Sequence, residues 1–433
     1  MKLYSTKHQS QDVDLSTAVL KGLPPDNGLY MPYNIPKLSN DFWKNLDSYT
    51  YNEMAFRIAK NLIGDVVADV DLLKIIEQAY NFDAPLVHLK DQDILELFHG
   101  PTLAFKDFGA RFMGRLMGHF LRNENNKVNI LVATSGDTGS AVAHGFLNVE
   151  GIDVTILYPK GKVSDIQEKQ FTTLGANITA IEIDGVFDDC QALVKQAFLD
   201  EDLNNAMTLS SANSINIARL IPQSFYYIYA YKQLENKDLD LYFSVPSGNF
   251  GNLTAGLFAK KMGLPIKKMI ASTNDNDIFT QYYNSGNFEP KPSVQTISNA
   301  MDVGNPSNFA RLMDIYKNDL VQVKQDIVAY SFNDEQTKAC IKKIYKTEDY
   351  LMCPHTAVAY LGMQQFQQDN NIQNANCIAL STAHPVKFGE VITPIIEEVV
   401  AVPERLQHII DGKKQSISLN KDFAGFKSWL LNK

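Results

Sequence analysis

From about residue 86 onward, short apolar segments alternate with longer segments of helical spacing, and this alternation restricts the chain to few folds. Residues 128–133, 153–158 and 239–245 are typical of buried strands, and each is followed by a segment with helical periodicity. Strands separated by helices of this size form βαβ units, in which the strands pair in parallel. The sequence therefore predicts an α/β fold.

The first 85 residues lack this alternation and mix turns with helical stretches. Residues 24–28 (PPDNG) have the composition of a turn, and residues 52–62 have that of a helix. A chain of 433 residues is also too long for one ordinary core. We expect an N-terminal unit at residues 1–85, a smaller α/β domain at 86–235 and a larger α/β domain at 236–433.

Charge and cysteine content narrow the classes of function. Forty Lys and Arg residues stand against 49 Asp and Glu residues, which gives a formal net charge of −9. That balance disfavours nonspecific binding to nucleic acid, because a phosphate backbone requires a surplus of positive charge. The four cysteines are scattered, without a Cys-x-x-Cys pair, so we expect reduced thiols and no structural metal. No long apolar stretch suggests a membrane span, and we expect a cytoplasmic protein.

Lys106 lies in the segment at residues 99–109 (HGPTLAFKDFG), among apolar neighbours and where a helix is predicted to begin. Desolvation and the positive end of the helix dipole would both lower the pKa of its amine. A free amine is what Schiff-base chemistry requires. An ordinary surface lysine is the alternative reading of this segment alone.

A Gly- and Asn-rich turn joins the strand at 239–245 to the helix that follows it. The turn has the sequence SGNFGN, from Ser247 through Gly248, Asn249, Phe250 and Gly251 to Asn252. Backbone N–H groups at the start of a helix favour an anion, and glycines let the backbone approach a phosphate closely. The turn matches neither a Walker A loop nor a dinucleotide-binding fingerprint. A simple left-handed turn is the alternative.

Three further segments carry polar groups that could contact a ligand. Ser135 and Thr138 lie in a second turn between a strand and a helix, where helix capping is the alternative role. Asn213 and Ser214 precede another predicted helix, and Arg219 follows a turn later, either facing a ligand or facing solvent. Thr382 follows the predicted strand at 377–380, where its hydroxyl could meet a ring nitrogen. His384 beside it is more often structural than catalytic.

The order of these segments along the chain resembles that of the fold-type II pyridoxal-phosphate enzymes, whose fold is that of the tryptophan synthase β chain. Within that group the match is to the threonine synthases, in the longer form found in enteric bacteria and fungi. The motifs that carry the resemblance span nearly the whole chain and are YST at 4–6, GLP at 22–24, GLY at 28–30, HGPT at 99–102, FKD at 105–107, SGDTG at 135–139, NSIN at 213–216, SGNFGN at 247–252 and TAHP at 382–385.

The resemblance implies a role for each candidate residue. Lys106 would hold pyridoxal 5′-phosphate as a Schiff base, residues 248–252 would bind its phosphate, and Thr382 would contact its pyridine nitrogen. Ser135, Thr138, Asn213, Ser214 and Arg219 would bind the carboxylate and phosphate of the substrate. Many fold-type II relatives have Asn where this chain has Asp137, so the role of Asp137 stays open.

The activity implied by the resemblance is that of a carbon–oxygen lyase acting on phosphate. The enzyme would eliminate the γ-phosphate of O-phospho-L-homoserine and add water at Cβ to give L-threonine, the last step of threonine biosynthesis. A monomer or homodimer is expected. Another fold-type II lyase, similar to the serine and threonine dehydratases, is the nearest rival, and a non-catalytic sensor of phosphorylated metabolites is a rival from another class.

Overall fold

Three sheets organise the chain in this computed structural model, which describes residues 1–122 and 127–433. The strands of the described residues are β1 (Lys2–Ser5), β2 (Val13–Asp14), β3 (Tyr30–Pro32), β4 (Leu86–His88), β5 (Asp93–Glu96), β6 (Val128–Ala133), β7 (Ile152–Pro159), β8 (Ile178–Asp184), β9 (Thr208–Ser210), β10 (Leu241–Pro246), β11 (Ile266–Thr273), β12 (Ile327–Ser331), β13 (Asn376–Ser381) and β14 (Ile417–Asn420).

The larger sheet has six strands in the order β12-β11-β10-β13-β5-β4, parallel except for the antiparallel pair β4–β5. The smaller sheet has five parallel strands in the order β14-β8-β7-β6-β9. A third, antiparallel sheet of β2-β1-β3 belongs to the N-terminal unit. Parallel sheets require cover on both faces, and helices supply it here.

Helices connect and cover these strands throughout the described residues. They are α1 (Leu15–Lys21), α2 (Asn40–Lys44), α3 (Tyr51–Ile63), α4 (Asp69–Ala79), α5 (Lys106–Leu121), α6 (Asp137–Phe146), α7 (Asp165–Thr172), α8 (Phe187–Leu199), α9 (Glu201–Ala206), α10 (Ile217–Leu220), α11 (Gln223–Gln233), α12 (Gly251–Lys261), α13 (Ile278–Ser285), α14 (Phe309–Ile315), α15 (Leu320–Asp326), α16 (Asp334–Glu348), α17 (Pro354–Asn370), α18 (Gly389–Ile396), α19 (Gln407–Ile410) and α20 (Phe423–Leu431).

The predicted α/β class with parallel sheets and a distinct N-terminal unit is confirmed. The strands predicted at 128–133, 153–158 and 239–245 are β6, β7 and β10, each displaced by two residues or fewer at either end. These strands are fully or largely buried, as their apolar sequences require. The helix predicted at 52–62 is α3, which begins with a capping box between Thr50 and Glu53.

The two large sheets do not divide the chain at the expected domain limits. β4 and β5 fall within the expected smaller domain but pair with the larger sheet through β13. β14 falls within the expected larger domain but pairs with β8 of the smaller sheet. Both exceptions arise because pairing along a sheet edge does not depend on nearness in sequence. The limits 1–85, 86–235 and 236–433 themselves remain a prediction.

α5 and α6 pack very closely, and both begin at residues that line the cavity described below. A Cβ atom added at Gly114 of α5 would lie 2.3 Å from the backbone oxygen of Gly145 in α6. Only glycine allows this approach, which fixes the starts of the two helices, Lys106 and Asp137, relative to each other.

Two further observations concern the cysteines and the apolar character of the helices. Cys190, Cys340, Cys353 and Cys377 are unpaired and buried. None of the helices in residues 1–122 and 127–433 combines the length and the apolar character needed to cross a membrane.

Candidate active site

A cavity of about 470 Å³ lies where the carboxyl ends of strands from both large sheets meet. Ala133 ends β6, Pro246 ends β10, and Thr382 directly follows β13. Ligands of open α/β sheets bind outside the carboxyl ends of the strands. Every residue predicted for the site lines this cavity, namely Lys106, Ser135, Thr138, Asn213, Ser214, Arg219, Gly248, Asn249, Phe250, Gly251, Asn252 and Thr382. The structure therefore brings the predicted residues together, while their individual roles remain predictions.

Lys106 is the first residue of α5 and opens onto the cavity. Burial lowers the pKa of its amine to about 8. The carboxylate of Asp137 opposes this shift, whereas the positive charges of Lys387 and Arg219 add to it. A substantial share of the amine is therefore neutral near physiological pH, as a nucleophile or a base requires.

The turn from Ser247 to Asn252 joins β10 to α12 and presents the start of that helix to the cavity. Phe250 has a left-handed backbone, with φ of 60° and ψ of 8°. The Asn249 side-chain oxygen accepts a hydrogen bond of 2.8 Å from the backbone N–H of Ser307. The tightly turned backbone leaves the first N–H groups of α12 without helical partners, as in known phosphate-binding turns.

Asn252 has a side-chain amide whose nitrogen lacks a hydrogen-bond partner within the described residues. Its side-chain oxygen accepts hydrogen bonds from the hydroxyls of Tyr226 at 2.6 Å and Tyr227 at 2.7 Å. Its amide nitrogen Nδ2 is buried without a partner. A buried donor left unpaired is unfavourable, so this group fits an anionic ligand oxygen such as that of a cofactor phosphate.

Thr382 is held directly against the segment that carries Lys106. Its backbone oxygen accepts a hydrogen bond of 2.9 Å from the N–H of Phe105. Ala383 forms an antiparallel bridge with Ala104, which reinforces the same contact. His384 lies outside the cavity lining, and its Nδ1 accepts a hydrogen bond from the N–H of Val386. This contact caps a short helical turn and agrees with the structural role expected of His384.

Arg219 is 3% exposed and takes part in no ion pair within residues 1–122 and 127–433. One guanidinium nitrogen donates to the backbone oxygen of Ala212 at 2.6 Å, while Nε is buried without a partner. Burial lowers its pKa to about 10, so the group stays charged at neutral pH. A buried cation of this kind fits a site for an anionic ligand. Ser135, Thr138, Asn213 and Ser214, by contrast, are exposed or partly exposed around the cavity.

Sequence reasoning missed several residues of the site. Lys387 forms an ion pair with Asp137, Gln167 donates a hydrogen bond to the same carboxylate, and His355 lines the cavity. Burial lowers the pKa of His355 to about 4. Residues 299–305 also line the cavity, and the composition of the adjoining stretch DVGNPSN at 302–308 was an available signal for a loop. The sequence offered no comparable signal for Lys387, Gln167 or His355.

Comparison with known proteins agrees with this architecture. A family model described as pyridoxal-phosphate dependent enzyme matches residues 76–382. Models described as threonine synthase N terminus and threonine synthase, C-terminal match residues 2–80 and 356–429. These matches confirm the fold-type II class and pyridoxal phosphate as the cofactor.

Individual relatives are similar along the entire chain. Threonine synthase from Haemophilus influenzae is 44% identical over 433 residues, which is 100% of each chain. The crystal structure of threonine synthase from Escherichia coli is 42% identical with a TM-score of 0.91, covering 100% of both chains. The structure of threonine synthase from Brucella melitensis with bound PLP is 33% identical with a TM-score of 0.94, covering 100% of this chain and 99% of that one.

The alternative interpretation, a lyase similar to the serine and threonine dehydratases, finds less support. The structure of a threonine deaminase from Solanum lycopersicum is 16% identical with a TM-score of 0.59, covering 85% of this chain and 96% of that one. Similarity at this level shows a shared fold and nothing about the reaction. The chain belongs to the threonine synthase family of pyridoxal-phosphate-dependent enzymes.

Proposed function

We propose that this chain converts O-phospho-L-homoserine and water into L-threonine and inorganic phosphate, with Lys106 as the residue that holds the cofactor and transfers protons. One observation carries the proposal. The cavity combines an amine of lowered pKa with two buried donors that lack partners, Nε of Arg219 and Nδ2 of Asn252. A cofactor phosphate and a doubly anionic substrate would satisfy these groups.

The residues present fit pyridoxal phosphate. Lys106 would bind it through a Schiff base, Gly248 to Asn252 would hold its phosphate, and the Thr382 hydroxyl would contact its ring nitrogen. When bound, the cofactor stabilises negative charge on substrate carbons next to the amino group. Thr382 offers a neutral hydroxyl rather than a carboxylate, so it does not hold a proton on the ring nitrogen. A neutral hydroxyl at this position suits elimination better than transamination.

Lys106 would perform the proton transfers. With the substrate amino group bound to the cofactor, the Lys106 amine would remove a proton from Cα. A second proton would leave Cβ, phosphate would depart from Cγ, and Cγ would gain a proton. Addition of water would place its hydroxyl on Cβ, and Cα would regain a proton. Lys106 is tethered at the start of α5 and lines the cavity, and a pKa of about 8 lets it both accept and donate protons near neutral pH.

The substrate brings a carboxylate and a phosphate, and the cavity offers groups for both. Arg219 would supply a fixed positive charge, because its guanidinium is buried and forms no ion pair within the described residues. Asn213, Ser214, Ser135 and Thr138 would donate hydrogen bonds to the remaining oxygens. Burial within the cavity strengthens each of these interactions by excluding water.

We also propose that the enzyme works in the cytoplasm as a monomer or homodimer. The four unpaired, buried cysteines fit a reducing compartment. Light scattering on the purified chain would measure its mass in solution, and a stable assembly of three or more copies would contradict this part of the proposal.

The experiment is to incubate purified holoenzyme with O-phospho-L-homoserine and to measure phosphate and threonine in the same sample. Equal amounts of both products are expected from the wild type, with none from Lys106→Ala. Lys195→Ala removes an exposed lysine of α8 and should retain full activity. Ammonia released from serine or threonine, without phosphate release from O-phosphohomoserine, would instead favour the dehydratase reading.

A further inference from the structure

A buried ion pair that the proposed mechanism does not use involves Asp137, which lines the same cavity as Lys106. Nζ of Lys387 lies 2.5 Å from Oδ1 of Asp137, and the two side chains are 0% and 5% exposed. The same Oδ1 accepts a hydrogen bond of 2.8 Å from Nε2 of Gln167. Lys387 also donates to the backbone oxygen of Thr102 at 2.8 Å. Both charged groups are therefore held in fixed positions.

This ion pair connects the two large sheets. Asp137 is the first residue of α6, which follows β6 of the smaller sheet. Lys387 lies in the short helical turn Pro385–Phe388, which follows β13 of the larger sheet. The pair thus joins structural units that are 250 positions apart in sequence, at the cavity between them.

A purely structural role does not account well for such a pair. Removing two charges from water is unfavourable, and apolar residues of similar size often stabilise a protein as much or more. A general stabilising role would also not require that the carboxylate line the ligand cavity, as Asp137 does. The placement indicates a role in the chemistry of the site.

Several charged or titratable groups face this pair from the elements packed around it. Lys106 and Asp107 come from the start of α5, Arg219 from α10 and His355 from the start of α17. Burial raises the pKa of Asp137, but the charges of Lys387 and Lys106 reverse this, and the pKa falls well below its usual value. The carboxylate therefore stays ionised at every pH at which the enzyme would work.

We propose that Lys387 is a positioning residue that fixes ionised Asp137 beside Lys106, and that this inter-sheet pair controls how readily the Lys106 nitrogen takes up a proton. Asp137 attracts a proton to Lys106, and Lys387 repels it. Burial is the main cause of the lowered pKa of the Lys106 amine, and Lys387 opposes the effect of Asp137 on it. If Lys387 were neutral, Asp137 would favour the protonated form of Lys106 more strongly.

The inference rests on the role of Lys106 as the cofactor lysine, proposed above, but not on the identity of the substrate. Its test therefore needs no substrate. The rate at which full-length protein freed of cofactor captures pyridoxal phosphate depends on the neutral fraction of the Lys106 amine. Measured from pH 6 to 10, this rate gives the pH midpoint, at which half of the Lys106 amine is neutral. Free pyridoxal phosphate titrates in the same way in every experiment, so differences between variants come from the protein.

The wild type should show a midpoint near the lowered pKa of about 8. Lys387→Met should raise this midpoint by about one pH unit or more, as expected when a nearby opposite charge is left uncompensated. Asp137→Asn should lower the midpoint, and combining it with Lys387→Met should return the midpoint close to the wild-type value. Lys387→Arg retains the charge and should change the midpoint little. Lys427→Met, which removes an ion pair with Asp200 outside the cavity, is the matched control.

Thermal unfolding tests the pairing of the two charges, whereas the pH midpoint separates the proposal from a purely structural role. Lys387→Met should lower the melting temperature because it leaves a buried carboxylate unpaired, and adding Asp137→Asn should recover at least half of that loss. If Lys387→Met does not fold, a folded double variant with a wild-type midpoint, beside a lowered midpoint in Asp137→Asn, supports the proposal. An unchanged midpoint in Lys387→Met, or a double variant that stays unfolded while Asp137→Asn folds, overturns the proposal.

Discussion

The Lys106 amine is more costly to bury when charged than when neutral, and this cost should appear in the stability of the cofactor-free protein. Its pKa is 10.5 in an unfolded chain and about 8 in the folded protein. Between these values the unfolded chain binds more protons, so the free energy of unfolding rises with pH across that window. Below pH 8 the full cost applies, up to about 3 kcal/mol from the size of the shift.

Lys106→Met should therefore stabilise the cofactor-free protein at pH 7, and the advantage should shrink as the pH approaches 10. Melting temperatures of both proteins across this range provide the measurement. Lys195→Met, on an exposed face of α8, should show a difference that does not vary with pH. An advantage for Lys106→Met that stayed constant from pH 7 to 10 would mean that Lys106 is not the group responsible.

Arg219 should contribute to the binding of the substrate and not to the binding of the cofactor. Arg219→Ala removes a buried cation with an unpartnered Nε, and a hydrogen bond to a charged group contributes about 1.5 to 3 kcal/mol. We expect KM for O-phosphohomoserine to rise about 10- to 100-fold, with the cofactor still bound. Steady-state kinetics and titration of cofactor-free protein with pyridoxal phosphate at saturation measure the two effects, and Arg57→Ala, exposed on α3, is the control. Unchanged kinetics in Arg219→Ala would remove this residue from the site.

The turn between β10 and α12 is the element whose shape should decide cofactor affinity. A Cβ atom on Gly248 would lie 2.8 Å from Cα of Met301, a backbone atom that cannot move aside alone. Gly248→Ala should displace the turn or the segment that faces it and weaken cofactor binding by about 1 to 3 kcal/mol, or about 5- to 100-fold. Titrating cofactor-free protein with pyridoxal phosphate measures the change.

Gly389→Ala provides the matched substitution for this prediction. Gly389 begins α18 with ordinary helical dihedral angles, and an added Cβ would meet no atom within 4 Å. This variant should bind cofactor like the wild type. Equal affinity in both variants would show that the close approach at Gly248 does not position the cofactor phosphate.

Elements with strong periodicity could be predicted from the sequence, whereas their neighbours in space could not. The buried runs of β6, β7 and β10 have a clear apolar signal. β14 is mostly exposed and only four residues long, so it has no such signal, and its pairing with β8 depends on tertiary structure. The same holds within the site, where Asp137 lies in a recognisable turn but its partner Lys387 is 250 positions away.

At the scale of the whole molecule, one buried arginine connects three parts of the chain. Arg311 of α14 is 0% exposed and forms no ion pair among the described residues. Its guanidinium donates to the backbone oxygens of Tyr30 at 3.1 Å and Ile215 at 2.6 Å, and to the side-chain oxygen of Asn308 at 2.8 Å. It thereby links the N-terminal unit, the segment after Asn213 and Ser214, and the region next to the phosphate turn. No local motif indicated this role.

Arg311→Met should therefore loosen the molecule at two separate places. Four acceptors, the backbone oxygens of Tyr30, Ser214 and Ile215 and the side-chain oxygen of Asn308, would lose a hydrogen bond. We expect a loss of about 2 kcal/mol in stability, partly offset because a buried charge is also removed. Hydrogen exchange should accelerate at residues 28–32 and 213–217 together, and KM for O-phosphohomoserine should rise because Asn213 and Ser214 are less well fixed.

Arg111→Met is the control for this last prediction. Arg111 likewise donates to backbone oxygens, those of Ala79 and Gln78 at 2.7 Å, but it lies outside the cavity lining. Its loss should accelerate exchange near α4 and leave 213–217 protected. If Arg311→Met produced faster exchange only at 28–32, with KM unchanged, the arginine would anchor the N-terminal unit without organising the substrate segment. Faster exchange at both places, with a raised KM, would instead show that Arg311 fixes the N-terminal unit and the substrate segment together.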